Sequence, residues 1–484
     1  MKKLKQLLTL FILITIINSC EKDFLETEPR GAISSLQVAT SEIANEAIVN
    51  GIYANMRSWG VGGTDGHTDY GHKGIMGAYD LMGHDIVLAN FNWYIFFYNF
   101  SGRVETASRT SVIWTTYYTF LADANIVING LQSLESLTDE QNALLGQALA
   151  IRAFSLFNIV RVYSDTYIGN ESQPGVPIPD RLSFEGKPRG TIQDVYDRII
   201  PDLQNAVTLL KDFTRSNKQQ IDISVAQGLL ARVYLETGNW SGAANMANAA
   251  KQGYKLMTGA EWITDGFDDI NNSEWMWGAD IDSESSTLFP SFFSHFDSTS
   301  GGYAGDSGGY KKIDIRLYDM IPDTDLRKKV FVDPLDINPE YPDIPEYSNL
   351  KFIDPTNYEG DYSYMRASEM HLIEAEAKAR MNDASASQVL YDIVSLRDRG
   401  YSLSENTGND LIEEIYLQRR IELWGEGFGF LDLKRLKKPL ERTGGSHLSF
   451  GLQDEVAGGT LFKWQIPDDE INANDNITNL DQNP

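Results

Sequence analysis

Apolar positions recur along the chain at helical spacing, in blocks separated by polar, glycine-rich or aromatic stretches. Ser41 opens an amphipathic segment with Ile43, Ala47, Ile48, Ile52, Tyr53 and Met56 on it, which predicts a first helix. From Ser108 the series Ile113, Trp114, Tyr117, Leu121, Ala124, Ile128 and Leu131, followed by Leu144, Ala148, Ile151, Phe154, Phe157 and Val160, predicts two paired helices. Thr191 and Asp194 make a capping-box start for a helix through Ile192, Val195, Ile199, Leu203 and Leu210, in which Pro201 is expected to cause a kink or a new start. Three further blocks follow: Ile223 to Lys255, Tyr364 to Arg399 and Leu411 to Lys438. Between them, Gly60 to Gly83 is so rich in glycine that it reads as loop, and Pro174 to Pro188 reads as irregular. Glu274 to Ile281 alternates like a strand, with Trp275 and Trp277 on one face.

The block Ile223 to Lys255 is a helical hairpin. Leu230, Ala231, Tyr234, Gly238, Trp240, Ala243, Ala247 and Ala250 fall where a tetratricopeptide unit places its apolar and small residues, and Gly238 sits where one helix must stop. An ordinary antiparallel helix pair differs little physically. A single hairpin cannot bury its apolar face alone, so partner helices are required on both sides. The expected fold from these patterns is mainly α: tetratricopeptide-like hairpins packed side by side, with minor β structure at Glu274 to Ile281.

Length and charge narrow the function. A chain of 484 residues exceeds a typical single domain. Its net charge of -27 repels phosphate backbones, so nucleic acid is not an expected partner. The single cysteine, Cys20, leaves no disulfide, redox pair or zinc cluster to build. Its context explains it: Lys2, Lys3 and Lys5 precede an apolar run from Leu7 to Ile17, and Asn18-Ser19-Cys20 follows. This is similar to a bacterial lipoprotein signal, in which the cysteine becomes the acylated first residue. The run is shorter than the twenty or so apolar residues that span a bilayer, so the expected attachment is a lipid anchor on Cys20.

Two aromatic stretches carry the candidate binding chemistry. Phe91 to Phe100 holds Trp93 and Tyr94 among polar residues, with Asp85, Asn92 and Arg103 nearby; core packing is expected to take most of its rings. Leu288 to Tyr310 holds Phe293, His295 and Tyr303 in loop surroundings. Sugar C–H faces lie on aromatic rings, while their hydroxyls need amides, carboxylates and guanidinium groups. The candidate ligand contacts are therefore Asp85, Asn92, Trp93, Tyr94, Arg103, Phe293, His295 and Tyr303. His67 and His72 with Asp65, Asp69 and Asp80 fit no metal-ligand spacing, so neither metal nor cofactor is expected. No HExxH, Walker or GxGxxG motif is present. With 68 acidic residues, carboxylate pairs are inevitable and do not argue for a glycosidase.

In the last helical block, Arg419, Arg420, Glu422, Leu423, Gly425, Glu426, Gly427, Phe430, Asp432, Leu433 and Arg435 resemble the signature segment of the SusD/RagB outer-membrane lipoproteins of Bacteroidetes-type bacteria. Arg152-Ala153-Phe154, Val162-Tyr163, Tyr310, Asp325-Leu326-Arg327, Trp464-Gln465-Ile466-Pro467 and the terminal Gln482-Asn483-Pro484 support it in order and spacing. The resemblance implies a signal peptide over 1–19, a lipidated tether over 20–31, an N-terminal part over 32–260 and a C-terminal part over 261–484. It also implies tetratricopeptide-like hairpins supporting a loop-rich, minor-β ligand-binding half, in a non-catalytic surface protein of the outer membrane that captures glycans, or peptides in the RagB branch. The capture would serve a SusC-like TonB-dependent transporter as partner. The charged signature residues are expected to form a structural ion-pair network. Two other classes stand beside this one: a surface glycoside hydrolase, and a scaffold whose aromatic loops bind protein only.

Overall fold

The computed structural model describes residues 41–180, 185–264, 266–336 and 339–484. The leader, Cys20 and the tether through residue 31 lie outside the described residues, and the lipid-anchor expectation with them. Among the described residues the protein is mainly helical, with three separate two-stranded ladders.

Helix α1 (Glu42–Asn55) starts at Ser41, whose hydroxyl accepts from the Ala44 amide at 3.4 Å. Helix α2 (Gly71–Leu81) lies inside the stretch expected to be loop. It is buried on every side, and packing overrides its poor propensity. A side chain at Gly77 would meet the Phe296 ring and the Tyr94 hydroxyl at 2.9 Å, so a small residue there lets the helix pass between them.

The long pair follows as α3 (Ser108–Gln132) and α4 (Asp139–Tyr163). Helix α4 is long and apolar enough by composition to cross a membrane, yet its apolar stretch is wholly buried, which marks it as the core helix of the stack. Thr138 and Gln141 form the capping box that starts it. Helix α5 (Ile192–Leu209) starts at the expected Thr191–Asp194 box and runs on through Pro201. Pro201 sits on the exposed side of the helix, opposite the buried Ile199, Leu203 and Ala206.

Gly238, with φ 74°, closes α6 (Ile223–Thr237), and the Asn239 side chain caps α7 (Trp240–Ala250). The Trp240 ring is half-buried beneath Arg380. Helices α8 (Ala367–Arg380), α9 (Ala386–Arg397) and α10 (Gly408–Glu422) complete the scaffold. Consecutive helices from α3 to α9 pack side by side, and α10 also packs on α8.

Residues 251–366 leave the stack after α7 and return to it at α8. The strands are β1 (Ile86–Leu88), β2 (Pro174–Pro177), β3 (Arg189–Thr191), β4 (Trp275–Ala279), β5 (Lys311–Ile313) and β6 (Tyr362–Arg366), paired antiparallel as β1–β5, β2–β3 and β4–β6. The expected strand at Glu274 to Ile281 is β4, with Trp275 and Trp277 fully buried. Two local readings change. The irregular stretch from Pro174 contributes β2, and Tyr364 opens no helix because it belongs to β6.

Candidate functional site

The two aromatic stretches are far apart in sequence, and the β1–β5 ladder joins them. Ile86 pairs with Ile313 and Leu88 with Lys311, so the residues after β1 run beside those before β5. The Ala89 amide donates to the Tyr310 carbonyl at 3.0 Å, and the Asn92 amide group donates to the Gly309 carbonyl at 3.4 Å. A Cβ on Gly309 would lie 2.3 Å from the Asn92 nitrogen, so this close crossing requires glycine.

A third loop, from Trp59 to Asp69, docks on the joined pair. The His67 ring stacks on Trp93 with centroids 4.9 Å apart and planes 11° from parallel. Its Nδ1 lies 2.6 Å from the Tyr303 hydroxyl, and Trp59 meets its edge at 5.8 Å. Below, His295 stacks on Tyr303 at 4.7 Å, and its Nε2 lies 2.8 Å from the His67 carbonyl. A carbonyl only accepts, so Nε2 carries the proton and Nδ1, which has no partner, is the bare nitrogen. Burial holds the His295 ring far below the usual histidine range, with Lys311 adding to the effect. Burial also lowers His67. Both rings are therefore neutral at pH 7.

The row of rings continues outward. Tyr303 meets Phe289 at 6.2 Å, and Phe289 meets Tyr358 at 6.0 Å. Leu288 and Tyr358 both take left-handed backbone, φ 56° and 63°. Such conformations cost bulky residues about 1–3 kcal/mol each and collect at functional sites. One hydroxyl ties the two together: Ser286 Oγ donates to the Tyr358 carbonyl at 2.8 Å and accepts from the Leu288 amide at 3.3 Å. The outcome is an arc of six rings: Trp59, His67, Trp93, Tyr303, Phe289 and Tyr358. Trp59 (46% exposed), Trp93 (36%) and Phe289 (49%) stand out of it into solvent. Large apolar rings left uncovered in one contiguous row are uncommon on a protein surface.

The candidate contacts read from sequence divide into four groups. Trp93 and Tyr303 lie in the arc. Asn92 stitches the two loops together and accepts from the Tyr94 amide at 3.0 Å. Tyr94, Phe293 and His295 have no exposed surface, so they carry the arc from beneath. Tyr94 is hydrogen bonded to Tyr70 at 2.6 Å and donates to the Gly74 carbonyl at 2.9 Å, while Phe293 packs against Gly360 beside Tyr358. Asp85 and Arg103 are spent elsewhere: Asp85 is buried in an ion pair with Arg420 at 2.5 Å, and Arg103 donates to the Pro484 carbonyl at 2.9 Å. Sequence reasoning missed Trp59, Phe289 and Tyr358 and considered His67 only as a metal ligand. Their common signal is a lone aromatic among turn residues, in Ser-Trp-Gly, Leu-Phe-Pro and Asn-Tyr-Glu-Gly.

The other polar residues of the glycine-rich loop serve as backbone anchors. Asp69 accepts from the Gly62 amide at 2.9 Å, and Asp80 accepts from the amides of Gly427, Phe428 and Gly429 at 2.6, 3.0 and 2.8 Å. His72 is buried against the Tyr117 hydroxyl at 2.8 Å. Among the described residues no three His, Cys, Asp or Glu side chains converge as metal ligands.

The charged signature residues form a buried network, as expected of a structural seam. Glu422 pairs with Arg327, Arg366 and Arg397; Glu426 pairs with Lys351 and Arg366; Asp432 pairs with Arg419 and Arg435. Arg366 and Arg397 also reach Glu274, just before β4.

Comparison with known proteins matches this arrangement. Residues 23–235 fit a family described as "Starch-binding associating with outer membrane", and residues 340–484 fit the SusD family. The chain is 25% identical to SusD-like protein P2 of Formosa agariphila, over 99% of both chains. A crystal structure of a SusD-like carbohydrate binding protein from Bacteroides vulgatus superposes with a TM-score of 0.80 at 27% identity, covering 92% of this chain and 98% of that one. A SusD superfamily protein from Bacteroides thetaiotaomicron shares the fold, with a TM-score of 0.76 at 23% identity over 92% and 100% of the two chains. Family matches at both ends, a relative aligned over the full length and this shared architecture place the chain in the SusD/RagB family, which is associated with the outer membrane.

Proposed function

We propose that this protein is a non-catalytic glycan-capture lipoprotein of the outer membrane, and that the six-ring arc is its binding surface. The observation that carries the reading is the contiguity of the arc: four loops converge so that six rings lie in stacked, tilted or edge contact, three of them exposed to solvent, above the buried Tyr94, Phe293 and His295. Pyranose rings stack on such faces, and neighbouring main-chain and amide groups supply hydrogen bonds to their hydroxyls. The carbohydrate-binding relative from Bacteroides vulgatus supports the ligand class. Family membership supports delivery of the captured glycan to a SusC-like TonB-dependent transporter.

The direct test is Trp93→Ala, read for oligosaccharide affinity and melting temperature on the same sample. Affinity is expected to fall by about 1–3 kcal/mol, taking the range for a nucleic-acid base stacked on an aromatic side chain as the guide for a sugar, with melting almost unchanged. Intact affinity in a folded variant removes Trp93 from the site, and reducing-end release by the wild-type protein makes it an enzyme. The anchor has its own test. Cys20→Ala is expected to move the protein into the soluble fraction after lysis, and a variant that still needs detergent for release overturns lipidation at that residue.

A further inference from the structure

The ionisable groups around the arc are sorted by sign. Asp65 is exposed in the Trp59–Asp69 loop, one residue before the Gly66 carbonyl that accepts from the Trp59 indole at 3.2 Å. Asp306 is exposed on the far flank. A Cβ on Gly301 would lie 3.4 Å from its carboxylate and 3.9 Å from the Tyr358 hydroxyl, so the acid and the phenol share one neighbourhood. Glu359 follows Tyr358 directly and is half-exposed. Burial raises the Tyr358 phenol, and the charges of Asp306, Asp297 and Asp354 push it the same way.

Two cations beneath the arc, Arg109 and Lys311, turn inward, and Arg57, half-buried two residues before Trp59, donates to the Gln219 side chain. Arg109 is buried; it donates to the Trp93 carbonyl at 3.4 Å and to the Ser108 hydroxyl at 3.0 Å, and it is balanced by Asp69. Lys311 is fully buried over the Tyr94 and Phe296 rings, with its ammonium donating to the Gly309 carbonyl at 3.0 Å. Among the described residues no lysine or arginine sits over Trp59, Trp93, Phe289, Tyr303 or Tyr358. The chain as a whole carries -27, so the far field has the same sign as the local one.

We propose that the arc selects uncharged glycan chains and rejects sulfated or uronate-bearing ones, because any chain stacked along its rings passes between the exposed carboxylates of Asp65 and Asp306 with no outward cation to meet an anionic substituent. This rests on the arc being the glycan site and adds the chemical class of its ligand. A row of rings open at both ends suits the interior of a chain, whose substituents would recur along the whole row. Negative substituents then meet like charge at both flanks, an arrangement that works as repulsive selection. The repulsion acts through water between exposed groups, so added salt screens it over a distance of about 10 Å at 0.1 M.

The test uses detergent-solubilised full-length protein on affinity gels containing matched polymers: dextran and dextran sulfate, hydroxyethyl cellulose and carboxymethyl cellulose, and further neutral polysaccharides beside their sulfated derivatives. At least one neutral polymer is expected to retard the protein independently of salt, with its anionic counterpart tenfold or more weaker and recovering as salt rises. The double substitution Asp65→Asn with Asp306→Asn is expected to narrow that gap while neutral binding stays constant. An anionic polymer bound as tightly as its neutral parent, with affinity falling as salt rises, overturns the selection and leaves the glycan site standing. Retention by no polymer of either kind overturns the glycan site itself, and the selection with it. A double variant that folds and keeps the full gap removes these two carboxylates as its cause.

Discussion

Two regions of this molecule invert the usual partition of residues. At the seam between the helical stack and the loop-rich half, Arg327, Arg366, Arg397, Glu274 and Glu422 are buried together, and Lys351 and Glu426 join them. At the arc, Trp59, Trp93 and Phe289 stand in water. The charges are satisfied internally: Lys351 donates to the carbonyls of Glu422 and Trp424 and to Glu426, and Arg397 donates to the Met257 carbonyl. The rings are satisfied only from below. A buried network of paired charges fixes geometry, because few arrangements pair every charge at once. An uncovered row of rings on a strained backbone has an outer side with no partner among the described residues. The contrast separates what holds the two halves in register from what is offered to a ligand.

The largest expected effect comes from breaking the seam. Glu422→Ala leaves three guanidinium groups without their shared carboxylate, and removing one member of a buried charge set costs about 3–5 kcal/mol. Chemical denaturation is the measurement, and a loss under about 1 kcal/mol would mean that water reaches the seam and solvates the arginines. Titration gives a second, smaller reading of the same region. Burial alone would raise Glu422, but Arg397, Arg366 and Arg327 outweigh it and hold the carboxyl well below the usual range. Burial likewise works against Glu376, yet Arg435 and Arg380 bring it down to about 2. A carboxylate with a depressed folded pKa contributes stability that is complete above its unfolded value, near 4.3, and lost as pH falls toward the folded value. Stability supplied by these two groups should therefore decline from about pH 5 downward, and thermal melts across pH 3 to 7 would show it. A melting temperature flat over that interval would contradict this assignment.

The sequence discloses the two regions unequally, for a physical reason. Helix periodicity is a local property, so Leu230, Tyr234 and Gly238 revealed a hairpin without knowledge of its partners. The seam was legible in part: Glu422 and Glu426 sit in one short signature, Arg419 to Arg435, while Arg327, Lys351, Arg366 and Arg397, and Glu274 just before β4, come from elsewhere in the chain. The arc was only partly legible. Trp93 and Tyr303 lie in stretches whose composition stands out, but Trp59, Phe289 and Tyr358 are single rings in three separate loops. What unites them is the β1–β5 ladder, the His67–Tyr303 hydrogen bond and the Ser286 bridge, all long-range contacts that no local pattern records. Burial was the second gap: Tyr94 and Trp93 are adjacent in sequence and equally aromatic, yet one is floor and the other surface. The glycine-rich helix α2 was hidden because its stability comes from the walls around it and not from its own residues.

The smallest expected effect is also the sharpest test of the contrast. Ser286 touches no exposed ring face, and its hydroxyl does one job, holding the left-handed residues Leu288 and Tyr358 on either side of it. Ser286→Ala removes one donor and one acceptor near the surface, so the global fold should lose no more than about 1 kcal/mol. The local consequence is larger in kind: two strained residues lose their common tether, and the Phe289 and Tyr358 rings gain freedom that a stacking ligand must then remove. Oligosaccharide affinity should fall severalfold at an almost unchanged melting temperature, and Ser286→Thr, which restores the hydroxyl, should recover most of it. If the seam and the arc were one cooperative unit, affinity and melting temperature would instead fall together in Ser286→Ala and in Glu422→Ala alike. Measuring both quantities on both variants separates a scaffold that only carries the site from one that is coupled to it.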